Sequence, residues 1–245
     1  MRKFILFFVF LAFIAPPTFA DVEEITNYNM SVDLYKNPAH ITNVITIKNI
    51  INYPLVPGIG EFRLQKEEPK KIFIISIPFT KEKKPIKIEN LRGYYIIGNQ
   101  KYPLNVSVRY EDTYSVIEYQ VWEPIDSGEN VTLVIEYDTD IVDDGILFKT
   151  VSIPVGCDLN IKRFHIDFSS PYYLTYQEPD GNDFSIPKKT LLIVKAEFSI
   201  LPLPKLPVYG HMLFWLTILS ILVIILVYTE LRRKSNDKED NKQNV

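Results

Sequence analysis

The chain of 245 residues contains one cysteine, Cys157. An intramolecular disulfide is thereby excluded, and packing must hold the folded part together. Cys157 reads as a small buried hydrophobe, with an intermolecular bridge or a lipid attachment as alternatives. Histidine is scarce as well, with only His40, His165 and His211. No Gly-x-Ser-x-Gly, His-Glu-x-x-His, Cys-x-x-Cys or glycine-rich phosphate loop occurs. The one nucleophile–base pair on offer is Cys157 with His165. Alternation sets His165 with Arg163 and Asp167 on the polar face of a strand, so an enzyme is not expected.

An excess of positive charge is also lacking. The chain has 27 basic and 30 acidic residues. Two basic residues lie in the first twenty, and five basic and four acidic from Thr229 onward. The region between keeps 20 basic and 26 acidic residues. Nucleic acid, which calls for a basic face, is not an expected partner.

What the chain does have is two long apolar runs. Val208 to Tyr228 carries no Asp, Glu, Lys or Arg over 21 residues, enough helix to cross a hydrocarbon core of ~30 Å. Arg232, Arg233 and Lys234 follow directly, as cytoplasmic anchors do. The second run, Phe4 to Ala15, is shorter. It follows Arg2 and Lys3 and ends at Pro16-Pro17, with Thr18-Phe19-Ala20 fitting a signal-peptidase site.

The organisation expected from these runs is a signal peptide over 1–20, an ectodomain over 21–200, a proline stalk over 201–207, a transmembrane helix over 208–228 and a disordered cytoplasmic tail over 229–245. That is a single-pass type I protein of the cell membrane. The stalk has Pro202, Pro204 and Pro207, whose polyproline geometry would lift the domain by only ~20–30 Å.

The ectodomain reads as all-β. Asn27–Tyr35 and Ile41–Ile50 flank a turn at Lys36-Asn37-Pro38. Phe62 and Leu64 alternate with Glu61, Arg63 and Gln65, and 70–77 (KKIFIISI) is a continuous apolar run suited to a strand covered on both faces. Leu104–Tyr110 and Tyr114–Trp122 form an antiparallel pair, and Val131, Leu133, Ile135 and Tyr137 point inward from the next strand. Further segments lie at 146–155, 161–168, 172–177 and 190–198. Short strands between turns, without an amphipathic helix, predict an antiparallel β-sandwich. Two small tandem sandwiches with a boundary near 123–129 are the alternative. The lysines around Pro85 suit a protected sheet edge, or a patch for anionic headgroups.

Three features bear on binding. Asp138, Asp140, Asp143 and Asp144 form an acidic loop that could offer Ca²⁺ several oxygens, although the spacing is not that of an EF-hand; no other cofactor is expected. The Asn-x-Ser/Thr triplets at Asn29, Asn105 and Asn130 all fall in the ectodomain, as expected for a glycoprotein. Tyr94, Tyr95, Trp122, Tyr172, Tyr173 and Tyr176 could stack on sugars or form a protein-binding hot spot, or be ordinary strand aromatics.

His40 to Lys66 (HITNVITIKNIINYPLVPGIGEFRLQK) and Val131 to Gly156 (VTLVIEYDTDIVDDGILFKTVSIPVG) resemble uncharacterised archaeal single-pass surface proteins. The second segment is also similar to the β-sandwich regions of ribophorin-like membrane subunits. The resemblance implies an envelope setting and a β-rich ectodomain and brings no catalytic motif. The function expected is a membrane-anchored extracytoplasmic binding or structural protein, partnered by the lipid bilayer and by an envelope or membrane protein. The alternatives are an accessory subunit of a membrane-embedded complex and a Ca²⁺-binding surface module.

Overall fold

A computed structural model of the chain describes residues 21–68, 71–72, 75–76, 82–145 and 147–243. The signal peptide expected over 1–20 lies outside the described residues. The strands in chain order are β1 (Glu23–Asp33), β2 (Ala39–Asn49), β3 (Gly58–Glu68), β4 (Lys71–Ile72), β5 (Ile75–Ser76), β6 (Glu82–Pro85), β7 (Ile88–Ile97), β8 (Gln100–Pro103) and β9 (Asn105–Tyr110). They continue with β10 (Ser115–Val121), β11 (Asn130–Thr139), β12 (Val142–Asp144), β13 (Phe148–Gly156), β14 (Ile161–Ser169), β15 (Tyr173–Glu178), β16 (Asp183–Ile186) and β17 (Leu191–Ser199). One helix, α1 (Val208–Gln243), follows.

A seven-stranded sheet of order β16-β14-β1-β2-β11-β7-β8 forms one layer. Two four-stranded sheets, β6-β3-β10-β9 and β12-β13-β17-β15, form the other. Among the described residues all pairings are antiparallel except β1 with β14, which runs parallel from Ile25↔Ile161 to Asp33↔Ser169. Alternation builds the core. Ile41, Ile45 and Ile47 of β2, Leu133 and Ile135 of β11, and Phe164 and Ile166 of β14 are all buried from one face of the large sheet. Tyr28 of β1 meets Phe62 of β3 at 6.3 Å, and Phe168 of β14 meets Phe198 of β17 at 5.8 Å, so each small sheet packs on the large one. The fold is the expected all-β sandwich. Strands from both sides of 123–129 share the large sheet and one core cluster, so the chain is not divided there.

Three local expectations are corrected. Of the apolar run 70–77 the structure describes 71–72 and 75–76, which pair antiparallel as Lys71↔Ser76 and Ile72↔Ile75 instead of extending as one strand. The preceding strand β3 pairs with β10 along Gly58–Leu64 and with β6 along Gln65–Glu68. The proline segment is no extended stalk. Leu203 N–H donates to the Leu201 carbonyl and Leu206 N–H to the Pro204 carbonyl, both at 2.8 Å, and these tight turns compact it. The third concerns the polar tail, which continues α1 as far as Gln243. Extending an existing helix adds one bond per residue without a new nucleus, and Glu, Lys, Arg and Gln are good helix formers.

β17 leads to α1, so Ser199 marks the helix end of the domain. Leu191, at the other end of the same strand, lies roughly 26 Å away at ~3.3 Å per residue. From Met212 to Tyr228 every side chain except Ile218 is exposed, an apolar surface on all sides of the helix. Val208–Glu230 is long and apolar enough to cross a membrane.

Candidate functional site

The two small sheets do not merge. Between β3 and β13 they leave a cleft of about 640 Å³, floored by the large sheet. Tyr28, Met30 and Ile47 rise from the floor, Phe62, Leu64 and Tyr119 form one wall, and Pro154 to Leu159 the other. Ile59 and Leu191 stand at the mouth, 55% and 62% exposed. The Leu191 lip belongs to the end of β17 remote from α1.

Local sequence shapes each wall. Tyr119 lies opposite Gly60 across the β3–β10 ladder. A Cβ on Gly60 would sit 2.2 Å from the Tyr119 ring, so the ring covers the glycine backbone. From there Tyr119 reaches Phe62 at 5.3 Å between ring centroids. On the floor the Tyr28 hydroxyl donates to the Asn43 Oδ1 at 2.9 Å, and Asn43 Nδ2 donates to the Ile135 carbonyl. Burial pushes the hydroxyls of Tyr28, Tyr119 and Tyr137 well up, so all three stay neutral.

The lip of the β3 wall is held from behind by Asn49, which is fully buried. Its Nδ2 donates to the carbonyls of Tyr53 and Ile125 at 2.8 and 2.9 Å, and its Oδ1 accepts the Ile51 N–H at 3.0 Å. Leu55 and Ile125 exchange both backbone bonds beside it. The 50–57 connection leading into β3 is thereby fixed to the loop after β10.

Glu23 is the exceptional group in the cleft. Its Oε2 is shielded from solvent and has no hydrogen-bond partner. Burial alone pushes its carboxyl up. The carboxyl acts electrostatically on the Tyr119 hydroxyl and on the Cys157 thiol, both of which line the same space. Cys157 accepts the Leu159 N–H at 3.4 Å, and burial is the main cause of its raised pKa. That environment makes the thiol a poor nucleophile.

The residues singled out in the sequence fall elsewhere. His165 lies on the outer face of the large sheet, opposite Asn29 and 3.2 Å from Asp183, whereas Cys157 lines the inner cleft. The two are not brought together. The acidic loop is dispersed among separate partners. Asp138 accepts from His40 Nδ1 and Asn90 Nδ2, both at 2.6 Å, and these bonds hold its carboxyl below the usual range. Asp140 accepts from Lys66 Nζ at 2.8 Å and the Lys87 N–H at 2.9 Å, and Asp144 pairs with Lys149. Asp143 stands opposite Thr150 in the β12–β13 ladder. Among the described residues no three His, Cys, Asp or Glu side chains are grouped to hold a metal ion.

Asn29, Asn105 and Asn130 are all exposed. The aromatics separate: Tyr95 is buried and stacks on Tyr102 at 5.2 Å, while Trp122 and Tyr173 are 60% and 55% exposed. The Tyr95 hydroxyl, pushed up to about 12 by burial and by its bond to Glu123, is a donor and not an acid. Sequence reasoning passed over Glu23, Tyr28 and Tyr119. One signal was present: Glu23 shares the parity of buried Ile25, and a carboxylate on an inward parity is out of place.

Over 131 residues the chain is 78% identical to uncharacterized protein MJ1395 of Methanocaldococcus jannaschii, a match covering 54% of this chain and 99% of that protein. The chain belongs to the MJ1395 family. The resemblance to uncharacterised archaeal proteins is thus confirmed through MJ1395, while the likeness to ribophorin-like subunits finds no support in these matches. No protein-family model matches the chain. Among solved structures, a Legionella pneumophila protein named for nutrient binding aligns with 72% of this MJ1395-family chain and 67% of its own, at 9% identity and a TM-score of 0.37. Leukotriene A4 hydrolase of Saccharomyces cerevisiae aligns at 10% identity and a TM-score of 0.36, covering 75% of this chain. The chain spans about a third of the hydrolase, 31% of its length. At these scores neither likeness bears on function.

Proposed function

We propose that the chain is a single-pass envelope protein that presents its β-domain outside the cytoplasmic membrane and binds a small ligand in the cleft between the small sheets. A β-rich domain with one apolar C-terminal helix fits a membrane-anchored protein. The orientation is supported by Arg232, Arg233 and Lys234, which follow the apolar span and favour the cytoplasmic side. The exposure of Asn29, Asn105 and Asn130 is compatible with it.

The observation that carries the binding reading is the cleft itself. Its volume of about 640 Å³ falls within the range of small-molecule sites, and it sets apolar Met30, Ile47, Phe62 and Leu64 beside the charged Glu23, Glu61, Arg63, Asp158 and Lys189. Its Leu191 lip lies at the end of β17 remote from the helix, where a ligand arriving from outside would enter.

Two measurements test this reading. Protease treatment of intact cells should remove the β-domain and spare the helix and tail; full protection would overturn the orientation. Ligand-observed NMR with the full chain in nanodiscs should find fragments that bind above an empty-nanodisc blank and are lost in Ile59→Asp. A fragment set that gives only the blank signal would overturn the cleft as a ligand site.

A further inference from the structure

We propose that the cleft selects an organic ammonium ion carrying an apolar body, with Glu23 as the counter-charge and the Tyr28–Phe62–Tyr119 ring cluster as the wall against which the cation rests. This rests on the reading of the cleft as a ligand site. The Glu23 carboxyl has one oxygen shielded from water without a hydrogen-bond donor. A carboxylate left so is costly, and the group that relieves it best brings both a donor and a positive charge.

The cations nearby do not serve. Arg63, at the edge of the cleft, turns to Glu61 at 3.5 Å and lies over the Tyr114 ring. Lys189 is exposed at the rim, and its ammonium makes no bond to the shielded Glu23 oxygen. Lys188, next to it, is taken by Asp21 at 2.8 Å.

The aromatic groups point the same way. Tyr28, Phe62 and Tyr119 form a chain with centroid spacings of 6.3 and 5.3 Å. Ring faces attract a cation, most strongly where water is excluded. Met30, Ile47 and Leu64 then offer an apolar surface to the rest of the molecule. The lining carries three carboxylates, Glu23, Glu61 and Asp158, against two cations, Arg63 and Lys189, a balance that disfavours an anionic ligand. A neutral alcohol could donate to Glu23 but would leave the charge uncompensated.

The test uses the full chain in nanodiscs of zwitterionic lipid, with three probes of one shape: 4-phenylbutylamine, 4-phenyl-1-butanol and 4-phenylbutyrate. Ligand-observed NMR titrations, corrected with empty nanodiscs, should show the amine binding about 10-fold tighter than the alcohol, the worth of one charge-assisted hydrogen bond. The carboxylate should be the weakest. Glu23→Gln should erase the preference for the amine over the alcohol, and Tyr119→Leu should weaken the amine more than the alcohol. Thermal melts of both variants establish that they are folded. Equal binding of amine and alcohol, or a preference that survives Glu23→Gln, would overturn the ammonium assignment while leaving the cleft a ligand site. Binding of none of the three would overturn both.

Discussion

The carboxylate of Glu197 accepts the backbone N–H of Val208 at 2.6 Å, so the last strand of the domain grips the first turn of the apolar helix. Glu197 is only 1% exposed and also pairs with Lys195. The first N–H groups of a helix have no intrahelical acceptor and carry its positive end, which makes a buried carboxylate a strong cap. One turn further, His211 stacks on Phe148 at 5.3 Å and is 2% exposed. Helix and domain are therefore joined by packing as well as by chain, and the short proline segment closes a loop between them.

Glu197→Ala should accordingly loosen the junction. Loss of a buried, charged hydrogen bond costs about 1.5–3 kcal/mol. Hydrogen exchange on the full chain in detergent should show faster exchange across 201–211, with the large sheet unchanged. Exchange at the wild-type rate in that segment would mean that the Glu197 contact does not hold the helix.

Asn49 should prove the most sensitive polar position of the core. Asn49→Ala would take the acceptor from the Ile51 N–H and the second donor from the Ile125 carbonyl, which keeps the Leu55 N–H, at about 1–3 kcal/mol together. We expect a total loss of about 1–3 kcal/mol in denaturant unfolding of the full chain. The 50–57 connection should become a site of early proteolysis. A melt within 1 °C of wild type would show that water replaces the amide.

The elements legible in the sequence were those whose pattern is purely local. Val131, Leu133, Ile135 and Tyr137 alternate and are all buried, and Leu104–Tyr110 pairs with its successor as its turn implies. The charge-free run at Val208 needs no partner to be read as a helix. β7 escaped because Asn90, at φ 52°, and a register shift opposite Glu136 and Asp138 interrupt its alternation. The parallel β1–β14 pair joins Ile25 to Ile161, far apart in sequence and linked by no hairpin. The cleft was illegible for the same reason. Its walls come from β3 and β13, and only the packing of two sheets on a third creates the space between them.

Gly60 tests how tightly that space is shaped. Because its missing Cβ is replaced by the Tyr119 ring, Gly60→Ala should push the ring outward at about 1–3 kcal/mol. Removing the ring first should abolish most of that cost, so Gly60→Ala in a Tyr119→Leu background should be nearly silent. Additive effects in this double-mutant cycle would show that the two residues do not share the site.

Glu23 should govern part of the pH dependence of stability. Burial raises its carboxyl pKa in the folded protein above the ordinary value of 4.5. The folded state then holds the proton more tightly than the unfolded chain. Its favourable contribution is complete below the ordinary value and is lost as pH rises through the folded value, leaving a penalty at neutral pH. The groups near it, Tyr119 and Cys157, have raised pKa values of their own and stay neutral across that window. Glu23→Gln should therefore melt higher than wild type at pH 7, with the gap closing toward pH 4. Melts of the full chain at several pH values check this, and a constant gap across the range would show that Glu23 is solvated like an ordinary surface carboxylate. If an ammonium ligand occupies the cleft, saturating amounts of it should remove the penalty in wild type and leave Glu23→Gln unmoved.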